Sequence, residues 1–238
     1  MSASDAPLLD VRGLTAGYGN KTVVRDVSFR VLPSQVLTLL GHNGCGKTTT
    51  LKSTLGLNDK ATGEVWLDGE RVDAEPVSVR VGKGLRLLPE GRGIFGALTV
   101  GENLDVVADR NCQAADTRIG VKHVLELFPM LSDRMSTMAG SLSGGQQKML
   151  ALGLAILGSP RCIMLDEPSI GLAPNLVERL FVLIREICQS TGVGAVLVEQ
   201  NVAAAMKIAD HVMILNNGAV VFDGSPDEAR GANFWHFF

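Results

Sequence analysis

Apolar and polar positions alternate through residues 8–11, 23–31 and 64–67, and these segments are rich in β-branched side chains. Alternation with period two gives a strand one buried and one wet face. The Asp68-Gly69 pair after the third segment suits a hairpin turn. A small antiparallel sheet is predicted. Three other runs, 36–40, 162–165 and 195–198, are continuously apolar. That pattern belongs to strands covered on both faces, as in a parallel sheet.

Two of these runs lead directly into helical spacing. The clearest helix opens near Pro174, a residue suited to a first helical position, and sets Leu176, Val177, Leu180, Phe181, Ile184, Ile187 and Cys188 on one stripe. Strand followed by helix, repeated, implies a doubly wound α/β core. Between about residues 99 and 157 the strand signal disappears, and 100–110, 116–128 and 143–157 read as helices inserted into that core. The sheet then resumes and finishes in a hairpin, 212–215 and 219–222, around Asn216-Asn217-Gly218. A last helix starts at Ser225-Pro226-Asp227-Glu228, with Ser225 as cap and Glu228 completing a capping box.

Composition narrows the function by exclusion. With 22 basic and 25 acidic residues among 238, the net charge of -3 offers no general attraction to nucleic acid or anionic lipid. Aromatics make up only 5% of the chain, so base stacking on single strands gains no support, and no nucleic-acid partner is expected. Cys45, Cys112, Cys162 and Cys188 form no Cys-x-x-Cys pair and read as reduced, small apolar residues. Residues 1–7 lack the basic stretch and apolar core of a secretion signal. The longest nearly uninterrupted apolar stretch, 149–157, is far short of the roughly 20 residues that span a bilayer. A soluble chain that reaches a membrane only through a partner is expected.

The chemistry is concentrated at two sites. Gly41-His42-Asn43-Gly44-Cys45-Gly46-Lys47-Thr48 fits Gly-x-x-x-x-Gly-Lys-Ser/Thr and lies between a buried strand and a helix. The glycines allow backbone N–H groups to converge on phosphate, the helix terminus adds positive potential, and Lys47 reaches the β- and γ-phosphates. Thr48 would hold Mg²⁺ beside ATP. At the carboxyl end of the run at 162–165 stand Asp166 and Glu167, where ligands of open α/β sheets bind. Asp166 would orient water on Mg²⁺, and Glu167 would act as general base toward the attacking water or polarise it. Either element alone also reads as a turn or a solvated strand end; their coexistence favours catalysis.

Between them lies Ser141-Leu142-Ser143-Gly144-Gly145-Gln146-Gln147, a serine cap and two glycines at a helix start. This Leu-Ser-Gly-Gly-Gln segment, in this place, resembles the signature of ATP-binding-cassette (ABC) ATPases, and the resemblance covers essentially the whole chain. It implies one domain over 1–238: a P-loop NTPase core with a mostly parallel sheet and an N-terminal antiparallel β subdomain in 1–90 and 159–238, and a helical signature subdomain in 91–158. It also implies a head-to-tail dimer in which Leu142, Ser143, Gly144, Gly145 and Gln146 of one subunit contact ATP held by the other. Tyr18 would stack on adenine, and the nucleotide contacts would run from Gly41 to Thr49. By the same resemblance the partners are a second ABC ATPase, integral membrane permease subunits and, indirectly, an extracytoplasmic solute-binding protein. The chain would then sit on the cytoplasmic face of the membrane.

Three departures from the family pattern matter. Glu90, in Pro-Glu-Gly-Arg, stands where glutamine is usual; Gln200, in Val-Glu-Gln-Asn, stands where histidine is usual; and the aspartate expected shortly after Glu167 is missing from Pro-Ser-Ile-Gly-Leu-Ala-Pro. One reading is a weak, degenerate ATPase. Gln200 can hydrogen-bond the γ-phosphate but carries no charge, and ionised Glu90 can ligate Mg²⁺ but cannot donate a hydrogen bond to water. The other, preferred because Lys47, Thr48, Asp166 and Glu167 are all present, is a subfamily trait: the three segments look like the ATPases of branched-chain and other hydrophobic amino acid importers, with the urea and amide importers. A lipid-export motor, a non-transport cassette ATPase and a regulatory module without turnover are the alternatives. Residues 90–98, with Ile94 and Phe95, are expected to meet the permease. The aromatic tail at 233–238 either covers the body or contacts a partner.

Overall fold

The computed structural model describes residues 6–91, 93–110 and 119–231. Arg92, Cys112, the first residues of the helix expected at 116–128 and the aromatic tail at 233–238 lie outside that set. In chain order the elements are β1 (Leu9–Tyr18), β2 (Lys21–Val31), β3 (Val36–Leu40), α1 (Lys47–Leu55), β4 (Thr62–Leu67), β5 (Glu70–Arg71), α2 (Val77–Gly82), β6 (Leu85–Leu88) and α3 (Val100–Arg110). They continue with α4 (Val121–Leu127), α5 (Pro129–Ser132), α6 (Gly144–Ile156), β7 (Cys162–Asp166), α7 (Pro174–Thr191), β8 (Gly194–Val198), α8 (Val202–Ala205), β9 (His211–Asn216), β10 (Ala219–Gly224) and α9 (Pro226–Gly231).

Two sheets result. One is antiparallel in the order β2-β1-β4-β5; the other runs β10-β9-β3-β8-β7-β6, parallel throughout except for β10. The three continuously apolar runs occupy the middle of the second sheet, and every residue of β3, β7 and β8 is buried. Their side chains divide by parity. Leu37, Leu39, Met164 and Val196 pack toward the antiparallel sheet and α1, whereas Val36, Leu40, Leu165 and Leu197 join the core formed with α3, α6 and α7. Both faces are therefore dry, which is why no polar alternation survives in these strands.

The alternating strands are longer than their sequence signal. β1 continues to Tyr18 through register shifts around Leu14 and Ala16, and β2 begins at Lys21. Bulges interrupt the two-residue period and hide the second half of β1 from a pattern reading. α1 is also an unlikely helix by composition, with four threonines among nine residues. Thr50 and Thr54 return their hydroxyls to the carbonyls of Gly46 and Thr50 at 3.0 and 2.9 Å, and Leu51 and Leu55 are buried. Burial holds a segment that propensity alone would not, and back-bonding satisfies the hydroxyls that this burial takes from water.

Arg80 anchors the end of α1. Almost fully buried, it donates to the carbonyls of Thr54 at 2.8 Å, Glu75 at 3.0 Å and Asp73 at 2.5 Å. The helices expected at 100–110, at 143–157 and from near Pro174 appear as α3, α6 and α7, with Leu176 only partly buried at the edge of its stripe. α9 carries the capping box expected of it: Glu228 accepts from the Ser225 backbone at 2.7 Å, and Ser225 Oγ accepts from the Glu228 backbone at 3.2 Å.

Candidate active site

The phosphate loop leaves β3 at Leu40 and enters α1 at Lys47. Gly44 adopts φ 79 with open space where a side chain would stand, a left-handed turn that glycine adopts without strain. The result is a cavity of about 380 Å³ lined by Tyr18, Asn43, Gly44, Gly46, Lys47, Thr48 and Thr49 from this side and by Glu90, Glu167 and Gln200 from the other. Tyr18, 53% exposed at the end of β1, offers its ring at the rim. A larger groove of about 700 Å³, lined by Asp10, Arg12, His211 and Asp223 among others, lies along different residues and contains none of the loop.

Not every loop residue turns toward the cavity. The Cys45 thiol is buried in the inter-sheet core, where desolvation raises its pKa against the pull of Lys47. The His42 ring reaches Asn216 Oδ1 at 3.2 Å, so it braces the β9–β10 hairpin. Gly41 contributes its carbonyl, which accepts from Lys47 Nζ at 2.7 Å; His42 O accepts at 3.2 Å. Lys47 is buried and its ammonium also lies 3.7 Å from Glu167 Oε1.

Asp166 ends β7 and accepts a hydrogen bond from Thr48 Oγ1 at 3.0 Å. Burial raises its pKa; the Thr48 bond opposes this, and the charges of Glu167 and Glu90 add to it. A hydroxyl and a carboxylate set together at the loop fit Mg²⁺, which takes one or two protein oxygens and completes its shell from phosphate and water. Glu167 follows with φ 49, a strained backbone for a residue bearing Cβ. Its backbone N–H donates to Val198 O at 2.9 Å, and its carboxylate accepts from Gln200 Nε2 at 2.5 Å.

Two charged residues here were not singled out from the sequence. Glu199, 1% exposed, accepts from Ser169 N at 2.9 Å, Ser169 Oγ at 2.8 Å and Gln200 N at 3.2 Å. Burial raises its pKa against those hydrogen bonds. Lys148, buried on α6, has its pKa lowered by desolvation, opposed by the charges of Glu199, Glu90 and Asp166. Their signal was present: each is a lone charge adjoining a continuously apolar run, a placement that is rare unless the charge has a partner.

The signature segment is arranged differently. Ser143 caps α6 in a reciprocal box with Gln146, at 3.0 and 3.4 Å, and neither residue lines the phosphate cavity. Ser143 and Gly144 are exposed, Gly145 is partly covered and Leu142 is buried beneath them. In the segment expected to meet a permease, Ile94 packs on the helical side of the core, so only Phe95, 52% exposed, presents an open ring. Asn103 fixes that loop. Fully buried on α3, it accepts from Phe95 N at 2.8 Å and donates to Phe95 O at 3.0 Å and Thr99 O at 2.8 Å.

A family model described as ABC transporter matches residues 24–170, more than half of the chain. The chain belongs to the ABC transporter family. The ATP-binding subunits of this family bind and hydrolyse ATP. A curated relative, the high-affinity branched-chain amino acid transport ATP-binding protein BraG of Pseudomonas aeruginosa, is 40% identical over 86% of this chain and 87% of its own. The probable branched-chain amino acid transport ATP-binding protein LivF of Archaeoglobus fulgidus is 34% identical over 90% and 91%. The lipopolysaccharide export system ATP-binding protein LptB of Haemophilus influenzae is 30% identical over 93% and 92%. Among solved structures, an ATP-binding subunit of an ABC transporter superposes with a TM-score of 0.81 at 29% identity, covering 94% of this chain and 92% of that one. The α/β cassette with its antiparallel sheet is thus the fold of ABC ATPases.

Proposed function

We propose that this chain is the ATP-hydrolysing motor subunit of an importer for branched-chain or other hydrophobic amino acids. The observation carrying the ATPase assignment is one cavity lined by Lys47, by Thr48, whose hydroxyl donates to Asp166, and by the Glu167–Gln200 pair. The importer assignment is supported by the two relatives named for branched-chain amino acid transport, at 40% and 34% identity.

In the mechanism, Lys47 exchanges the carbonyls of Gly41 and His42 for the β- and γ-phosphate oxygens of ATP, aided by the loop N–H groups and the α1 terminus. The Tyr18 ring stacks on adenine. Thr48 and Asp166, with Glu90 nearby, would hold Mg²⁺, whose charge would offset that of the phosphates. Glu167 takes the proton of the attacking water, while Gln200 holds that carboxylate in orientation and keeps its amide beside the γ-phosphate. Ser143, Gly144, Gly145 and Gln146 serve the site of a second ATPase subunit, a copy of this chain or a sister. Their absence from this chain's own cavity agrees with that role. No described helix is long and apolar enough to cross a membrane. Permease subunits would therefore hold the protein at the cytoplasmic face, with Phe95 on the docking side, and a solute-binding protein would act on the opposite face.

Export of a lipid is the second reading, favoured by the LptB relative at 30% identity. Uptake of labelled leucine, isoleucine, valine and urea in cells lacking the gene separates the two. Loss of amino acid uptake, restored by wild type but not by Glu167→Gln, is expected. Unchanged uptake of all three amino acids would overturn the importer assignment.

A further inference from the structure

The parallel ladder between β7 and β8 ends with Asp166 opposite Val198, and Glu167 N–H still donates to Val198 O at 2.9 Å. Beyond that point the two backbones diverge and no further strand pairing joins them. The Glu199 side chain takes over. One oxygen accepts from Ser169 N at 2.9 Å; the other accepts from Ser169 Oγ at 2.8 Å and from the Gln200 backbone at 3.2 Å. Glu199 is 1% exposed and Ser169 8%, so these bonds lie in a dry setting where they are strong and not exchanged for water.

The location matters because each end of this bridge adjoins a residue of the proposed chemistry. Ser169 lies two residues after Glu167, whose positive φ must be held by its surroundings. Gln200 follows Glu199 directly and donates to Glu167 across 2.5 Å. Backbone bond, carboxylate bridge and amide contact together close a ring around the Glu167 carboxylate.

Building on the assignment of Glu167 and Gln200 above, we propose that Glu199 is a positioning residue for ATP hydrolysis: through Ser169 and the Gln200 backbone it holds Glu167 and Gln200 in register. It touches neither phosphate nor metal, so it sets the turnover rate and leaves nucleotide affinity alone. Gln at 199 keeps the shape and the acceptor for Ser169 N. Its amide nitrogen, however, opposes the Gln200 N–H, so the bridge can serve only one side. Ser169→Ala removes a single bond of the same bridge.

The test is steady-state ATPase kinetics of the purified chain, with thermal melts and nucleotide titration as controls. Glu199→Gln is expected to lower kcat by about tenfold and Ser169→Ala by about threefold, with KM for ATP, nucleotide affinity and melting temperature close to wild type. The double variant should be no slower than Glu199→Gln alone, because both act through one bridge. Wild-type kcat in Glu199→Gln, or losses that multiply in the double variant, would overturn the proposal. So would a loss that follows a fallen melting temperature or weakened ATP binding. Glu167→Gln, run in parallel, separates the two levels: if it abolishes turnover while Glu199→Gln does not, only the positioning role fails. If Glu167→Gln turns over normally, both assignments fail.

Discussion

Gln200 donates its side-chain amide to Glu167 across 2.5 Å, joining the ends of two adjacent parallel strands through the residues expected to perform hydrolysis. In the proposed mechanism the contact would give Gln200 a role that needs no positive charge. A hydrogen bond to a charged group contributes about 1.5–3 kcal/mol, which exposure of Gln200 brings toward the lower figure. Since 1.36 kcal/mol corresponds to tenfold in rate, Gln200→Ala should lower kcat by roughly tenfold. ATPase assays over a range of ATP concentrations check this; an unchanged kcat would mean that Gln200 is a spacer.

Thr48→Val keeps the side-chain volume and removes the hydroxyl that donates to Asp166 at 3.0 Å. Nucleotide should bind this variant in EDTA as it binds wild type, whereas added Mg²⁺ should no longer strengthen binding. Calorimetric titration with a nonhydrolysable ATP analogue, with and without Mg²⁺, reads both arms. Full retention of the Mg²⁺ effect would remove Thr48 from the metal site.

Gly218→Ala should weaken both fold and nucleotide binding. A Cβ at Gly218 would meet Val23 O at 1.9 Å, the backbone there has φ 82, and Gly218 N–H donates to Cys45 O of the phosphate loop at 2.9 Å. A clash with backbone cannot be relieved by a rotamer change, so a loss of about 2–3 kcal/mol is expected. At 2–4 °C per kcal/mol this is a fall of roughly 4–12 °C in Tm. A wild-type melting curve would show that the hairpin can shift freely.

The three described cysteines should resist alkylation in the native state. All are buried, and desolvation pushes the Cys188 thiol up to about 12 and raises those of Cys162 and Cys45. At pH 8 on the order of one Cys188 thiol in ten thousand is ionised, and the thiolate is the reactive form. Peptide mapping after iodoacetamide should find these cysteines unlabelled until denaturant is added. Rapid native labelling of Cys188 would contradict its burial.

Much of this architecture could be read from spacing. Continuous apolar runs located β3, β7 and β8, and the phosphate-loop motif sat between a strand and a helix as its chemistry requires. The second half of β1 was missed because bulges break its period, and α1 had only its motif to reveal it, since threonine-rich sequence is held helical by burial. At the site, local motifs identified residues whose side chains converge on one cavity, but not which way each one faces. His42 turns to the hairpin and Cys45 to the core, while Ile94 is covered and Phe95 is not. Glu199 and Lys148 are not legible for a different reason: Glu199 meets Ser169 in the turn after β7, and Lys148 faces Glu90, Asp166 and Glu199 at the ends of three strands, and no spacing rule along the chain brings those together.

The Asn103 amide binds the 95–99 loop at three backbone atoms within 3.0 Å and is itself fully buried. The open Phe95 ring therefore projects from a loop whose shape is settled before any encounter. A protein meeting this face forfeits little loop entropy on contact. Movement transmitted through Phe95 would then pass straight to α3, to which Asn103 ties the loop.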